Sequence, residues 1–402
     1  MTPTRFIAIR NQDCLRCGFC SDFTACALKT SECTGCGACV ACCPQGAREL
    51  KARRDSGKII RFTLDGKTCA VKAPVSVFDA LCELGRAAKT HEPDDCPTQA
   101  LCGTGGCWSC SVSINGVVTR SCVTPLQEDM EIVTDPDILQ RHAPVRVVTL
   151  MRPAPHYHPS IFVHGCNYRC DLCHNWDLTF AAHTKPKDST ETVSLLKLNP
   201  ETDHWIGISG GEPCLNRAWL LKTVRQLRCA VPQSHIQLDT NASLLTPELI
   251  DALVAAGITD ISPDLKALRP DTFMKISGVA SEKSARLYLQ TSWNAVRYIN
   301  ERYRQKVFMA VSLPCHPRIH SKAELYDSSA ALAQIDPEMH VTLIEYQPAF
   351  RHRDWPFLGE KAMEQARKIV ESAGLRNVIV QGGTGVPRAR DPLDIPLSTE
   401  NL

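Results

Sequence analysis

Three cysteines, Cys166, Cys170 and Cys173, stand in the spacing C-x3-C-x2-C inside His164-Gly-Cys-Asn-Tyr-Arg-Cys-Asp-Leu-Cys-His-Asn-Trp176. Three thiolates on one short loop can hold three irons of a cubane and leave the fourth iron open to a small chelating ligand. A closed cluster carries electrons; an open one can also break bonds. A three-cysteine structural zinc site is the plainer alternative for this spacing taken alone. Further on, at the end of an apolar run, Ser209-Gly-Gly-Glu-Pro213 sets two residues without side chains beside a carboxylate.

Cysteine usage is the strongest compositional signal. Of 402 residues 22 are cysteine, and 16 of these precede residue 123 in tight local spacings. A secreted disulfide scaffold would be short and carry a signal sequence, whereas Met1-Thr-Pro-Thr-Arg-Phe-Ile-Ala-Ile-Arg10 has no apolar h-region. Reduced thiolates given to metal, in a cytoplasmic and anaerobic or microaerobic setting, are therefore expected. A net charge of +2 without a sustained basic stripe argues against nucleic acid as the main partner. There is no apolar run of about 18 residues, so no membrane span is expected. The length allows two to three domains.

Residues 1–56 carry Cys33-Thr-Gly-Cys36-Gly-Ala-Cys39-Val-Ala-Cys42-Cys43-Pro44, which fits C-x2-C-x2-C-x3-C-P, the run of bacterial ferredoxins. Cys14-Leu-Arg-Cys17-Gly-Phe-Cys20 repeats its first half, with Cys26 as a distant fourth cysteine followed by Ala27 rather than proline. A crossed assignment gives Cys14, Cys17, Cys20 and Cys43 to one [4Fe–4S] cluster and Cys26, Cys33, Cys36 and Cys39 to another. Cys42 could replace Cys43, and zinc remains the alternative for a single loop.

Residues 57–135 read as strand, Asp65-Gly66 turn, strand and helix, over 58–64, 68–72 and 75–84. Cys102-Gly-Thr-Gly-Gly-Cys107-Trp-Ser-Cys110, with Cys122 following, has the plant-type spacing C-x4-C-x2-C…C of a [2Fe–2S] cluster. Glycines between the first two ligands let the backbone curl round the cluster. A second hairpin over 111–119 leads Cys122 back to it. The arrangement resembles the β-grasp ferredoxin domains of succinate dehydrogenase and molybdenum hydroxylases. Cys96 is the competing ligand, and Cys69 and Cys82 read as small buried hydrophobes.

A linker is expected over 136–159, with His156 and His158 in a surface loop, and a C-terminal tail over 387–402. Between them, over 160–386, strand-like runs alternate with helical patterns. The strands are Ile161–Val163, Trp205–Ile208, His235–Leu238, 258–261, Val307–Val311 and Val341–Ile344, with a late edge at Asn377–Val380. This α/β rhythm predicts parallel strands with outer helices, a partial (β/α)6 barrel whose chemistry lies at the carboxyl ends of its strands.

The triad and the Gly-Gly-Glu-Pro motif together resemble the radical S-adenosylmethionine (radical SAM) superfamily, and the barrel half is most similar to its pyruvate-formate-lyase activating enzymes, the AmmeMemoRadiSam-type branch included. The resemblance implies that Cys166, Cys170 and Cys173 ligate a catalytic [4Fe–4S] cluster whose open iron chelates the cofactor. It implies that Gly210, Gly211 and Glu212 approach the cofactor's amino group, with the Glu212 carboxylate balancing an ammonium. Asp239-Thr240-Asn241 and Asp264-Leu265-Lys266 match further family motifs. They imply a monovalent-cation or cofactor-carboxylate network from Asp239, Thr240 and Asp264, with Lys266 near the cofactor; an internal salt bridge is the structural alternative. Leu172 takes the place of an aromatic that packs on adenine. Two positions depart from the family: Met309 where an arginine is usual and Gln347 where a histidine is usual. Cys214 and Cys315 fall near the active face, and Cys229 is read as unligated.

The implied cofactors are three [4Fe–4S] clusters, one [2Fe–2S] cluster, S-adenosylmethionine and a monovalent cation. The implied chemistry is reductive cleavage of S-adenosylmethionine and hydrogen-atom abstraction, with an external donor feeding the ferredoxin modules. Such a chain could be a self-contained radical oxidoreductase or modification enzyme, acting on a protein or a small molecule. It could also be an activase that installs a glycyl radical on a partner protein, or a non-catalytic electron-transfer subunit. The two built-in ferredoxin modules favour the first.

Overall fold

The computed structural model describes residues 4–22, 24, 33–54, 57–87, 99–135, 141–151 and 157–382. Cys26, Cys96, His156 and the expected tail lie outside the described residues.

In the first module β1 (Thr4–Arg10) pairs antiparallel with β2 (Arg48–Arg54), Thr4 opposite Arg54 and Arg10 opposite Arg48. The hairpin clamps the two ends of the module and holds both cysteine loops between them. One-turn helices α1 (Phe19–Asp22) and α2 (Ala38–Ala41) close those loops. Gly35 has to be glycine: its φ is +73°, and a Cβ there would lie 2.5 Å from the Phe6 carbonyl oxygen.

The second module is a five-stranded sheet in the order β4-β3-β7-β5-β6. Its elements are β3 (Ile59–Leu64), β4 (Lys67–Lys72), α3 (Val77–Glu83), β5 (Ser111–Ile114), β6 (Val117–Arg120) and β7 (Glu131–Val133). Asp65-Gly66 and Asn115-Gly116 have positive φ at both positions, as a tight hairpin turn between twisted strands requires. The sequence reading missed β7. This short strand runs parallel to β3 and antiparallel to β5, and so joins the two hairpins into one β-grasp sheet. Val77, Ala80 and Leu81 of α3 cover it, all three fully buried.

The third module is an eight-stranded sheet in the order β8-β9-β10-β11-β12-β13-β14-β15. The strands are β8 (Val145–Met151), β9 (Tyr157–Val163), β10 (Trp205–Gly210), β11 (His235–Thr240), β12 (Asp260–Pro263), β13 (Phe308–Cys315), β14 (His340–Glu345) and β15 (Asn377–Gln381). From β9 onward every neighbouring pair is parallel. Its helices are α4 (Trp176–Thr179), α5 (Ser189–Leu195), α6 (Arg217–Ala230), α7 (Pro247–Ala256), α8 (Pro270–Ser277), α9 (Glu282–Tyr303), α10 (Lys322–Ile335) and α11 (Gly359–Ser372). Ile161, Ile206, Ile208, Ile236, Leu238, Ile261, Val311 and Leu343 all have no exposed surface and form the inner core. Each contributes about 1.5–3 kcal/mol relative to an exposed side chain.

The stretch expected as a linker is a correction. Residues 145–151 form β8, which pairs antiparallel with β9 over Val145–Val163 to Met151–Tyr157. A parallel sheet buries its strands on both faces and leaves an open edge, and an added antiparallel strand covers that edge. His158 consequently lies on β9 and is buried, not in a surface loop. Among the described residues no helix is long and apolar enough to cross a membrane.

Candidate active site

Every motif of the third module sits where a strand ends. The triad loop follows β9, Gly210-Gly211-Glu212 ends β10, Asp239-Thr240-Asn241 ends β11, and Asp264 to Lys266 follow β12. The triad loop is pinned from within by Tyr168, which is buried and packs edge-on against Phe273 at 5.4 Å. Its backbone is held by Arg169 N–H donating to the Ser277 carbonyl (2.6 Å). This leaves Cys166, Cys170 and Cys173 partly buried on one loop. Burial pushes each of the three thiols up to about 12, and the other triad thiols add to it. Such thiols are neutral at pH 7 unless a metal stabilises the thiolates. Tyr168 N–H (3.3 Å) and Asn241 Nδ2 (3.6 Å) both donate to Cys166 Sγ.

The two glycines bring backbones into contact. A Cβ on Gly211 would stand 1.9 Å from the Gly165 carbonyl oxygen, and Gly210, with φ +112°, would collide with Val163. Glu212 also has partners within the fold. Its carboxylate is buried and accepts from Cys214 N–H (2.9 Å), the Thr240 hydroxyl (2.7 Å) and Asn241 N–H (2.7 Å), which makes it a bracket between β10 and β11. Burial raises its pKa although these three bonds pull it down.

Each residue of the expected cation network has a partner within the fold. Asp239 accepts from Gln237 (2.6 Å), Thr240 donates to Glu212, and Asp264 pairs with Lys266 Nζ at 2.5 Å. The salt-bridge alternative therefore describes Asp264 and Lys266. Lys266 also lies over the Tyr346 ring at 5.3 Å and near Cys170. Asn241 Nδ2 donates to Asn167 Oδ1 (2.9 Å), tying β11 to the triad loop. Leu172 and Met309 are buried in the barrel core, and Gln347 N–H donates to His174 Nε2 (3.1 Å). The Cys214 thiol meets the Thr240 hydroxyl at 3.6 Å, and Cys315 is buried at the end of β13.

In the first module Cys14, Cys17, Cys20 and Cys43 line one cavity of about 150 Å³. Arg48 Nη2 donates to Cys20 Sγ (3.2 Å) and Ala47 N–H to Cys43 Sγ (3.3 Å), as donors around a cluster would. Cys42 does not line that cavity; it is buried among Phe19, Trp176, Phe180 and Phe350. Ala8 N–H donates to Cys33 Sγ at 3.3 Å. In the second module Cys102, Cys107, Cys110 and Cys122 are all buried and their thiols meet. Hydrogen bonds from the thiols of Cys107 and Cys122 hold Cys102 well below the usual thiol range and push those two up. Among the described residues no three of His, Cys, Asp and Glu stand at metal-bonding spacing, so these groupings rest on the shared cavity and the thiol contacts.

Comparison with known proteins agrees with this layout. Residues 57–137 match the 2Fe-2S iron-sulfur cluster binding domain, and residues 160–314 match the radical SAM superfamily. Residues 160–314 are a radical SAM domain. The two domains imply a [2Fe–2S] cluster, and a [4Fe–4S] cluster with S-adenosylmethionine. A GTP 3',8-cyclase from Acaryochloris marina is 32% identical over 54% of this chain and 64% of its own length. One from Microcystis aeruginosa is 29% identical over 47% and 57%. The chain thus spans about three-fifths of these relatives, and they carry a cyclase name rather than that of an activating enzyme. A domain of pyruvate-formate lyase-activating enzyme from Bacteroides vulgatus is 18% identical over 44% of this chain and 98% of its own, with a TM-score of 0.34. SuiB from Streptococcus suis bound to S-adenosylmethionine is 13% identical over 54% and 48%, with a TM-score of 0.40. Both structural likenesses are too loose to bear on chemistry.

Two arginines without an assigned role, Arg169 inside the triad loop and Arg351 far from it in sequence, hold the loop. Arg169 Nη1 donates to the Cys166 carbonyl (2.8 Å) and Nη2 to that of Cys102. Arg351 Nη1 donates to Asp171 Oδ1 (2.8 Å) and Nε to the Cys43 carbonyl (3.1 Å). A cation within the triad loop was a visible signal for Arg169; nothing in the sequence marks Arg351.

His164 opens the triad loop and is buried, with Nδ1 at 3.2 Å from the Ala181 carbonyl, to which it donates. Burial, with Arg146 and His183 nearby, lowers its pKa from 6.5 to about 4. The unfolded chain binds a proton there sooner. This contribution to stability is whole above pH 6.5, declines as pH falls, and is lost below about 4. The anaerobic protein is expected to lose up to about 3 kcal/mol across that window from this group. Melting curves at pH 7 and pH 5 should show a smaller difference for His164→Gln than for the unchanged protein.

Proposed function

We propose that the chain is a self-contained radical SAM enzyme that acts on a small molecule, with its two ferredoxin modules relaying electrons to the site. The observation that carries this reading is the docking of cysteine loops from both modules on the triad loop, through Arg169 and Arg351. In it Cys166, Cys170 and Cys173 hold a [4Fe–4S] cluster, Gly210 and Gly211 let the backbone close on S-adenosylmethionine, and Lys266 faces its anionic end. Cys14, Cys17, Cys20 and Cys43 hold a second [4Fe–4S] cluster. Cys26, Cys33, Cys36 and Cys39 hold a third, and Cys102, Cys107, Cys110 and Cys122 the [2Fe–2S] cluster. With cluster and cofactor bound, the cluster would supply one-electron reductive cleavage of the cofactor's sulfonium C–S bond and, through it, hydrogen-atom abstraction from the substrate. Burial at the mouth of the barrel would keep water from that chemistry. No acid–base dyad is needed for this step. An external one-electron donor completes the system.

A small-molecule substrate is favoured over the glycine of a partner protein because the curated relatives are named for a reaction of GTP. Anaerobic incubation with dithionite and S-adenosylmethionine should yield 5′-deoxyadenosine, and iron should approach about fourteen per chain, from three cubanes and one [2Fe–2S] cluster. No 5′-deoxyadenosine at full iron loading would sink the reading, and iron near four per chain would remove the relay. A stable glycyl EPR doublet on a second protein would turn it toward the activase.

A further inference from the structure

We infer that the triad loop is a junction with two separate electron ports, one from each ferredoxin module, rather than the end of a single-file relay. This rests on the radical SAM reading above. The first port is at the Cys166 end of the loop. A Cβ on Gly165 would stand 2.6 Å from Cys107 N, and one on Gly106 would stand 2.8 Å from Gly165 N, so the backbones of the two cysteine loops touch. Arg169 grips both carbonyls across this contact, Cys102 on one side and Cys166 on the other, and Asn216 Nδ2 donates to the Cys107 carbonyl at 3.2 Å.

The second port is at the other end. Arg351 N–H and Nη1 hold Asp171, which adjoins Cys170, while Nε and Nη2 hold the carbonyls of Cys43 (3.1 Å) and Val40 (2.9 Å). Beside it Trp176 stacks on Phe350 at 5.3 Å and meets Phe19, the neighbour of Cys20, at 4.8 Å. Cys20 and Cys173 both pack against this same aromatic cluster. A relay in single file would leave one module beyond the other, out of reach of the triad. Here a cysteine loop of each module lies against it. The modules also touch each other, through Ala38 in the β-grasp core, so the two arrangements predict different couplings and can be told apart.

Each transfer moves one electron. The giving ferredoxin centre is oxidised by one, the centre at the triad is reduced by one, and an external one-electron donor restores the first. Arg169 and Arg351 are positioning residues, since each holds backbone on both sides of a port without touching a reacting atom.

The test compares the reconstituted, dithionite-reduced full chain with its Cys166→Ala/Cys170→Ala/Cys173→Ala variant by EPR spin relaxation. Two nearby paramagnets relax each other, so removing the triad centre should slow relaxation in both the [2Fe–2S] signal and the cubane signals of the first module, leaving only the coupling of those centres to one another. Slowing in only one of the two signals would overturn the junction in favour of a single file. Equal iron in the two proteins would instead mean that the triad holds no cluster, which fails the radical SAM reading itself. If the triple variant does not fold, Arg169→Met and Arg351→Met take its place, read by freeze-quench EPR after S-adenosylmethionine is added. The first should slow oxidation of the [2Fe–2S] centre alone and the second that of the cubane alone, with lysine restoring part of each rate. Both variants slowing both centres equally, or neither slowing any, would overturn the proposal.

Discussion

Replacing Cys170 by alanine is expected to abolish formation of 5′-deoxyadenosine, at least about a thousandfold below the unchanged protein, a loss of about 4 kcal/mol or more in barrier terms. Iron should fall by about four per chain while the [2Fe–2S] absorption stays. The reason is that the two thiol sets are built independently. Cys170 belongs to the loop anchored by Tyr168 on α8 and α9, whereas Cys102, Cys107, Cys110 and Cys122 are enclosed by the second module. Of the barrel's other described thiols near the site, Cys214 is engaged with Thr240, and Cys315 is buried at the end of β13. Iron analysis and product chromatography on one anaerobic preparation check both halves. Retention of 5′-deoxyadenosine formation would show that the radical chemistry does not depend on this loop.

Spacing made the cysteine chemistry legible because ligand loops are local. C-x2-C, C-x4-C and C-x3-C-x2-C each fix a backbone curl within a few residues, and Cys43 lines one cavity with Cys14, Cys17 and Cys20. The parallel strands were legible for a similar reason, since consecutive residues such as Ile206–Ile208 and Ile236–Leu238 are buried on both faces. What the residues did not announce depends on folding at a distance. β7 is three residues long, too short for a periodic signal, and acquires its place only by pairing with β3 and β5. β8 reads like any Val-rich stretch until β9 lies beside it. Arg351 comes from a point 180 residues beyond Asp171, and its charge is useful only where the barrel and the first module meet. Motif resemblance named Glu212 as a partner for the cofactor without showing the three donors within the fold that also bind it.

Glu212→Gln therefore separates two roles that resemblance alone would merge. Oε1 accepts from Cys214 N–H and the Thr240 hydroxyl, and Oε2 accepts from Asn241 N–H. Glutamine can keep the first pair only by turning its amide NH₂ toward the Asn241 N–H, donor against donor. A buried N–H left without an acceptor costs about 1–3 kcal/mol, and the surviving bonds lose their charge assistance. The variant is expected to melt several degrees lower, at about 2–4 °C per kcal/mol for a domain of this size, with no S-adenosylmethionine present. Glu212→Ala removes all three acceptors and should fall further. Had the carboxylate served only an ammonium of the cofactor, both variants would melt like the unchanged protein and lose affinity for S-adenosylmethionine alone. The bracket between β10 and β11 predicts the reverse order of events. Stability falls first, and affinity follows because Gly210 and Gly211, which the bracket holds against Val163 and Gly165, are no longer fixed.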